Sequence, residues 1–138
     1  MIQRIQTIYL FLAAIICILF LMVPSAENAI EGVVVEEFDF FARDNIYSAA
    51  ISIAVAFLSF AAIFFYKNRK LQIRIAFISI ALLFVLIAQT YYALTQSAED
   101  YSITYFIATP FIAIVFLFLA IRSIRKDEAL VKSMDRFR

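Results

Sequence analysis

The fold is decided by residues 46–94, which read IYSAAISIAVAFLSFAAIFFYKNRKLQIRIAFISIALLFVLIAQTYYAL. Two apolar stretches, Ile46–Tyr66 and Ile75–Leu94, flank a short basic segment, and neither contains a charged side chain. Each is close to the roughly 20 residues that a helix needs to cross the hydrocarbon core of a bilayer. Backbone groups in lipid must bond to one another, so these continuous apolar runs favour helices over a β-barrel. The stretch therefore predicts an antiparallel pair of membrane-spanning helices.

Working outward, two more apolar stretches flank this pair, Ile5–Val23 and Ile103–Ile121. The first is longer than the apolar region of a signal peptide, roughly 7–15 residues, and is interpreted as an uncleaved anchor. Pro110 is expected either to start the fourth helix or to kink it. Hydrophobic residues make up 65% of the 138-residue chain, against about 45–50% in a soluble domain. The prediction is an all-α membrane protein, a single domain formed by a bundle of four transmembrane helices.

The basic residues predict how this bundle is oriented. If there are four spans, 11 of the 12 Lys and Arg residues lie on the side that carries both termini, and only Arg43 lies opposite. Basic loops stay in the cytoplasm. Both termini and the tail 122–138 are therefore predicted to be cytoplasmic, with loop 24–45 outside, in a bacterial inner membrane.

The residue types that are missing exclude several kinds of chemistry. The chain has no His and a single Cys, Cys17. A His-ligated haem or metal, a Ser/His or Cys/His catalytic pair and an intrachain disulfide are thereby excluded. The carboxylates of the outer loops lack a nucleophile and base arranged around them. We expect no catalytic residue, no cofactor, no metal site and no enzymatic activity.

Small and polar side chains recur on one face of the second and third spans. They are Ser48, Ser52, Ser59, Ser79, Gln89 and Thr90. Such residues allow membrane helices to approach closely and to bond across the contact. A polar path for a substrate is the alternative, but such paths normally contain ionisable side chains, which these spans lack. Helix packing is therefore the favoured interpretation.

The outer loop contains one distinctive segment, Val33–Phe41, which follows Gly32. Its β-branched and aromatic residues predict a short strand or hairpin, for which Tyr101–Tyr105 is a possible partner. Asp44 or Asn45 is expected to cap the second span. The acidic residues of the loop lack the spacing of a calcium-binding loop. A candidate interaction surface in this segment comprises Val33, Val35, Phe38, Phe40 and Phe41.

The C-terminal tail reads as a basic amphipathic helix that continues the fourth span. On a helix, Ile124, Leu130 and Val131 fall in one arc, which also includes Asp127. Such a helix is typical of docking on an anionic lipid surface, and binding to a partner protein is the alternative. Nucleic acid is not expected as a partner. The candidate cytoplasmic surface for lipid or partner comprises Lys67, Arg69, Lys70, Arg122, Arg125, Lys126, Lys132 and Arg136.

The two ends of the chain carry a family resemblance. The opening MIQRIQTIYL (residues 1–10) and the closing IRKDEALVKSMDRFR (residues 124–138) resemble a family of small bacterial integral membrane proteins, domain-of-unknown-function family 4293. The closing motif is the more specific part, because apolar spans resemble one another by composition alone. The resemblance implies four spans and an inner-membrane location, and it brings no activity, cofactor or site residue.

Three functional hypotheses follow from these observations. The favoured one is a non-enzymatic accessory or scaffold subunit that contacts a membrane-protein partner, or a second copy of itself, through the segments outside the membrane. The alternative is a small transporter, channel or lipid-handling protein that uses the serine-rich face. A membrane enzyme is the least favoured.

Overall fold

The computed structural model describes residues 3–28, 40–96, 101–103 and 105–135. Four helices dominate the described chain: α1 (Gln3–Met22), α2 (Ile46–Phe64), α3 (Arg69–Gln96) and α4 (Thr109–Asp135). Three short strands connect them, β1 (Pro24–Asn28), β2 (Phe40–Phe41) and β3 (Tyr101–Ile103), and a 3-10 turn (Tyr105–Ala108) precedes α4.

The helices pack as a bundle around one core. Helix α1 packs against α2 and α4, and α3 packs against the same two helices. Each helix therefore has two principal neighbours, and chain order is also spatial order around the bundle. Apolar side chains from all four helices fill the interior, among them Leu10, Phe20, Val55, Leu83, Leu86 and Leu117.

Three helices of the described chain are long and apolar enough to cross a membrane, namely Ile5–Met22 in α1, the whole of α2 and the whole of α3. Helix α4 differs because its apolar part, Thr109–Ile121, is followed immediately by Arg122. The sequence places the start of the fourth span at Ile103, whereas in the structure Ile103 ends β3 and the α-helix begins at Thr109. Pro110 explains this start, since its fixed φ and missing N–H suit the first turn of a helix.

The outward face of the bundle is strongly apolar. Large side chains such as Phe57, Phe84, Val85 and Phe118 are more than half exposed on three different helices. Soluble monomers rarely expose apolar surface on this scale, whereas a helix surface in contact with lipid does so throughout. The surface therefore agrees with a membrane protein.

The strands form a small antiparallel sheet with the order β2-β1-β3. Ala26 of β1 pairs with Phe40 of β2 and Ile103 of β3, and the register with β2 shifts between Pro24 and Ala26. The sheet lies where α1 ends and α4 begins, and we call this end of the bundle the sheet end. The opposite end, with the α2–α3 turn and the second half of α4, is the basic end.

The sheet differs from the predicted hairpin in its central strand. Strand β3 falls within the predicted partner segment, and β2 holds the end of the predicted Val33–Phe41 strand. Both pair with Pro24–Asn28, for which the sequence analysis predicts no strand. Residues Val33–Phe38 lie outside the described residues.

Asparagine side chains cap the two central helices. Asn45 Oδ1 accepts from the backbone N–H groups of Tyr47 and Ser48 at 3.1 and 3.2 Å, which starts α2 at one of the two predicted capping residues. Asn68 Oδ1 accepts from the backbone N–H of Leu71 at 3.2 Å and so caps the start of α3. These caps satisfy free backbone N–H groups in the first turns of α2 and α3 and so fix where the two helices begin.

Candidate functional site

The interior of the bundle carries polar side chains at three levels between the sheet end and the basic end. Their buried members in α2 and α3 are Ser48, Ser52, Ser59, Gln72, Ser79 and Thr90. They come from the inward faces of the two helices, and buried Gln6 in α1 and Asp127 in α4 add to them.

At the sheet end, two of these residues bond to a neighbouring helix. Ser52 Oγ donates to the carbonyl oxygen of Cys17 at 2.8 Å and so links α2 to α1. Ser48 Oγ lies 3.5 Å from Thr90 Oγ1 and links α2 to α3. These contacts bond helix to helix and bury the hydroxyls completely.

In the middle of the bundle, two serines have no hydrogen-bond partner among the described residues. Ser59 Oγ in α2 and Ser79 Oγ in α3 are buried among apolar neighbours. A serine in a membrane helix interior is small enough to pack like alanine, so each permits close helix contact even without a bond.

At the basic end, the polar groups are larger and include a buried carboxylate, that of Asp127. Arg69 of α3 and Asp127 of α4 form an ion pair with 3.1 Å between guanidinium nitrogen and carboxylate oxygen, and the two side chains are 22% and 12% exposed. Gln6 Nε2 donates to the carbonyl oxygen of Ser123 at 3.4 Å and links α1 to α4. Polar contacts therefore join α1 and α3 to α4 at this end of the bundle.

Gln72 is the exception at the basic end. It is 2% exposed, and its Oε1 atom makes no hydrogen bond to the part of the chain that the structure describes. The residue lies in the first turn of α3, one turn after Asn68, whose carbonyl accepts the Gln72 backbone N–H at 3.0 Å. A buried amide oxygen without a donor is costly, because it has lost its water without a replacement.

Gln72 and Gln6 together line a groove between α1 and α2, with a volume of about 600 Å³. Thr7 and Ile8 of α1 form one side, and Ile63, Phe64 and Tyr66 form the other. The groove is therefore apolar along its walls, with two amides at its inner end. Its volume falls within the range of small-molecule sites, about 300–1,000 Å³.

Two further grooves lie elsewhere on the bundle. One of about 420 Å³ at the sheet end is lined by Gln89, Tyr92 and Asn45 among others. The predicted packing residue Gln89 thus lies half-buried at a groove wall. The other, of about 450 Å³, lies between α3 and α4, where the Arg125 guanidinium stands 5.7 Å from the centre of the Phe77 ring.

The two predicted surfaces are only partly within the described residues. Of the outer set, Val33, Val35 and Phe38 lie outside them, while Phe40 and Phe41 form β2 and the Arg43 guanidinium stands 4.2 Å from the centre of the Phe41 ring. Of the basic set, Arg136 lies outside, and the side chain of Lys132 is not described. Arg69 is paired with Asp127, and the exposed members are Lys67, Lys70, Arg122, Arg125 and Lys126.

Within the described ranges, no three His, Cys, Asp or Glu side chains come together as metal ligands. The candidate site consists of hydrogen bonds and an ion pair between helices, together with the groove at the basic end that Gln6 and Gln72 line.

A family model, described as a domain of unknown function (DUF4293), matches residues 2–137. The chain belongs to this family. No curated protein and no solved structure matches it. The membership confirms the resemblance carried by the two ends of the chain.

Sequence analysis missed Gln6, Gln72 and Asp127 as members of one polar end. Gln6 interrupts the first apolar stretch, and Gln72 lies within the basic segment between the second and third spans. Asp127 did give a signal, because it shares the apolar arc of Ile124, and an acidic residue on the inward face of a helix calls for a cationic partner. Which cation would pair with it depends on how α3 and α4 pack.

Proposed function

We propose that this protein spans the bacterial inner membrane four times with both termini in the cytoplasm, and acts without catalysis as an accessory or scaffold subunit. Three helices qualify as spans on their own. The fourth span combines the 3-10 turn with the apolar part of α4. At about 2.0 Å per residue in the turn and about 1.5 Å in the helix, Tyr105–Ile121 covers roughly 28 Å, close to the hydrocarbon thickness of about 30 Å.

The orientation is supported by charge. The exposed Lys67, Lys70 and Arg74 at the basic end, with Arg122, Arg125 and Lys126 of α4, contrast with Arg43 at the sheet end. The excess of basic residues favours the cytoplasm for the basic end.

The observation that carries the accessory role is the second half of α4. Beyond the Arg69–Asp127 pair, Leu130 and Val131 are about two-fifths exposed, and Ala129 and Ser133 are exposed as well. Apolar side chains uncovered next to cations, outside the apolar part of the helix, are suited to contact with a partner protein or with the membrane surface.

A photo-cross-linking amino acid at Leu130 tests this role. In cells we expect one discrete cross-linked product from Leu130, and a matched position in the lipid-facing part of α2, Ile53, should give only diffuse lipid adducts. With the cross-linker at the neighbouring exposed position Val131, we expect the same discrete product. Introducing Leu130→Glu into that protein should abolish it. A protein that runs alone as a monomer in mild detergent, with no discrete product from either α4 position, contradicts the accessory role.

A small transporter or channel is the second candidate, and the unpartnered hydroxyls of Ser59 and Ser79 in the middle of the bundle favour it. Liposome flux measurements with Ser59→Leu and Ser79→Leu discriminate between the two. A solute flux that either variant abolishes supports the transporter, and an absence of flux for the unaltered protein contradicts it.

A further inference from the structure

The groove between α1 and α2 opens on the outside of the bundle at the basic end. The groove residues Ile8, Phe64 and Tyr66 are each about half exposed or more, whereas Gln6 and Gln72 are almost completely buried. An occupant thus meets apolar side chains on both sides and an amide at the inner end. This combination fits an amphiphile, which has an apolar part and a hydrogen-bonding part.

The amide of Gln72 is the polar group on which the choice of occupant depends. Its Oε1 makes no hydrogen bond within the described residues, although the residue is 2% exposed. Leucine at this position would pack against the same neighbours without burying an unbonded oxygen. Because this oxygen is closed to solvent as it stands, the position is explained if the side chain rotates toward the groove and accepts an O–H or N–H from an occupant.

The charge around the groove selects the kind of amphiphile. Tyr66 at the groove is followed by Lys67, and Lys70 and Arg74 are also exposed at this end. Cations favour an anionic phosphate and disfavour an ammonium group as the donor. A hydroxyl donor on an anionic lipid satisfies both requirements.

We propose that this groove is a binding site for an anionic glycerophospholipid with a hydroxylated headgroup, such as phosphatidylglycerol, whose headgroup hydroxyl donates to Gln72. The acyl chain lies along Ile8 and Ile63, and the phosphate faces the exposed cations. The inference rests on the proposed membrane placement of the basic end and not on the accessory role.

Because the chain contains no Trp, a single Trp reports on lipid at one chosen place. Tyr66→Trp puts the reporter at the groove, and Tyr91→Trp puts it near the sheet end at a site of similar exposure, 58% against 52%. Each protein is reconstituted in phosphatidylcholine vesicles, and brominated lipids are titrated in as quenchers. Brominated phosphatidylglycerol, phosphatidylethanolamine and phosphatidylcholine are compared.

We expect brominated phosphatidylglycerol to be preferred over the other two lipids about fivefold at Tyr66→Trp, the scale of one hydrogen bond, and less than about twofold at Tyr91→Trp. Adding Gln72→Leu should abolish the preference at Tyr66→Trp. The matched change Gln89→Leu, in the same helix at the opposite end, should leave it intact. Circular dichroism shows whether each variant keeps its helices.

Three results would overturn the proposal. Equal preference at the two reporters means that no specific site exists. A preference that survives Gln72→Leu means that the amide does not bind the lipid, and its loss in high salt would then show that the exposed cations alone attract the lipid. Stronger quenching by phosphatidylethanolamine means that the donor is an ammonium. If no brominated lipid quenches either reporter, the membrane placement itself is wrong, which separates that failure from the others.

Discussion

At the scale of single residues, buried hydroxyls of the same chemical type have different partners. Ser52 donates to the Cys17 carbonyl oxygen, whereas Ser59, two turns further along α2, has no partner in the described ranges. Sequence analysis places both on one packing face and cannot separate them, because the partner of Ser52 is a backbone atom of another helix.

This difference predicts different responses to alanine. Ser52→Ala should lower the free energy of unfolding by about 0.5–1 kcal/mol, the usual contribution of a hydrogen bond between membrane helices. Ser59→Ala, which removes no bond, should change it by less than a few tenths. Unfolding in mixed detergent micelles, followed by circular dichroism, measures both. Equal losses would show that the Ser52 bond contributes nothing of its own.

At the scale of elements, the ion pair between Arg69 and Asp127 holds the start of α3 against the second half of α4. Asp127→Asn leaves the Arg69 guanidinium largely buried without its counter-charge. It should cost about 2–3 kcal/mol, less than the roughly 3–5 kcal/mol for a fully buried pair because both side chains keep some exposure. The double variant Arg69→Met/Asp127→Leu should recover most of this loss, because apolar side chains can replace such a pair.

The same unfolding measurement tests this, with Asp44→Asn as the control. Asp44 lies beside Arg43 in an exposed ion pair of 3.8 Å, which should contribute little. A double variant less stable than Asp127→Asn would contradict the account of this contact.

The helices and the strands differ in how well the sequence predicts them. Three of the four apolar runs predict α1, α2 and α3, because length and hydropathy are properties of the segment itself. Strand β1 could not be predicted in this way, since Pro24–Asn28 lacks β-branched and aromatic residues. It lies between β2, from the same α1–α2 connection, and β3, which reaches it only once the bundle brings α1 and α4 side by side.

At the scale of the whole molecule, the bundle has a polar, cationic end and a sheet end, joined by an apolar interior. The sequence predicts the polar residues of α2 and α3 toward the sheet end, but it does not predict those at the basic end. The serine and threonine face follows from helical periodicity within α2 and α3. The Gln6, Gln72 and Asp127 cluster requires three helices to meet, which no single segment encodes.

The central claim is that α4 crosses the membrane and returns the chain to the side of the α2–α3 turn. Single cysteines at Arg43, Lys67 and Ser133, in a Cys17→Ala background, test it with a membrane-impermeant thiol reagent on intact cells. If the chain crosses four times, we expect labelling at position 43 in intact cells, and labelling at 67 and 133 only after the membrane is permeabilised. Labelling of position 133 in intact cells, with 67 still protected, would contradict it, because the chain would then cross the membrane three times.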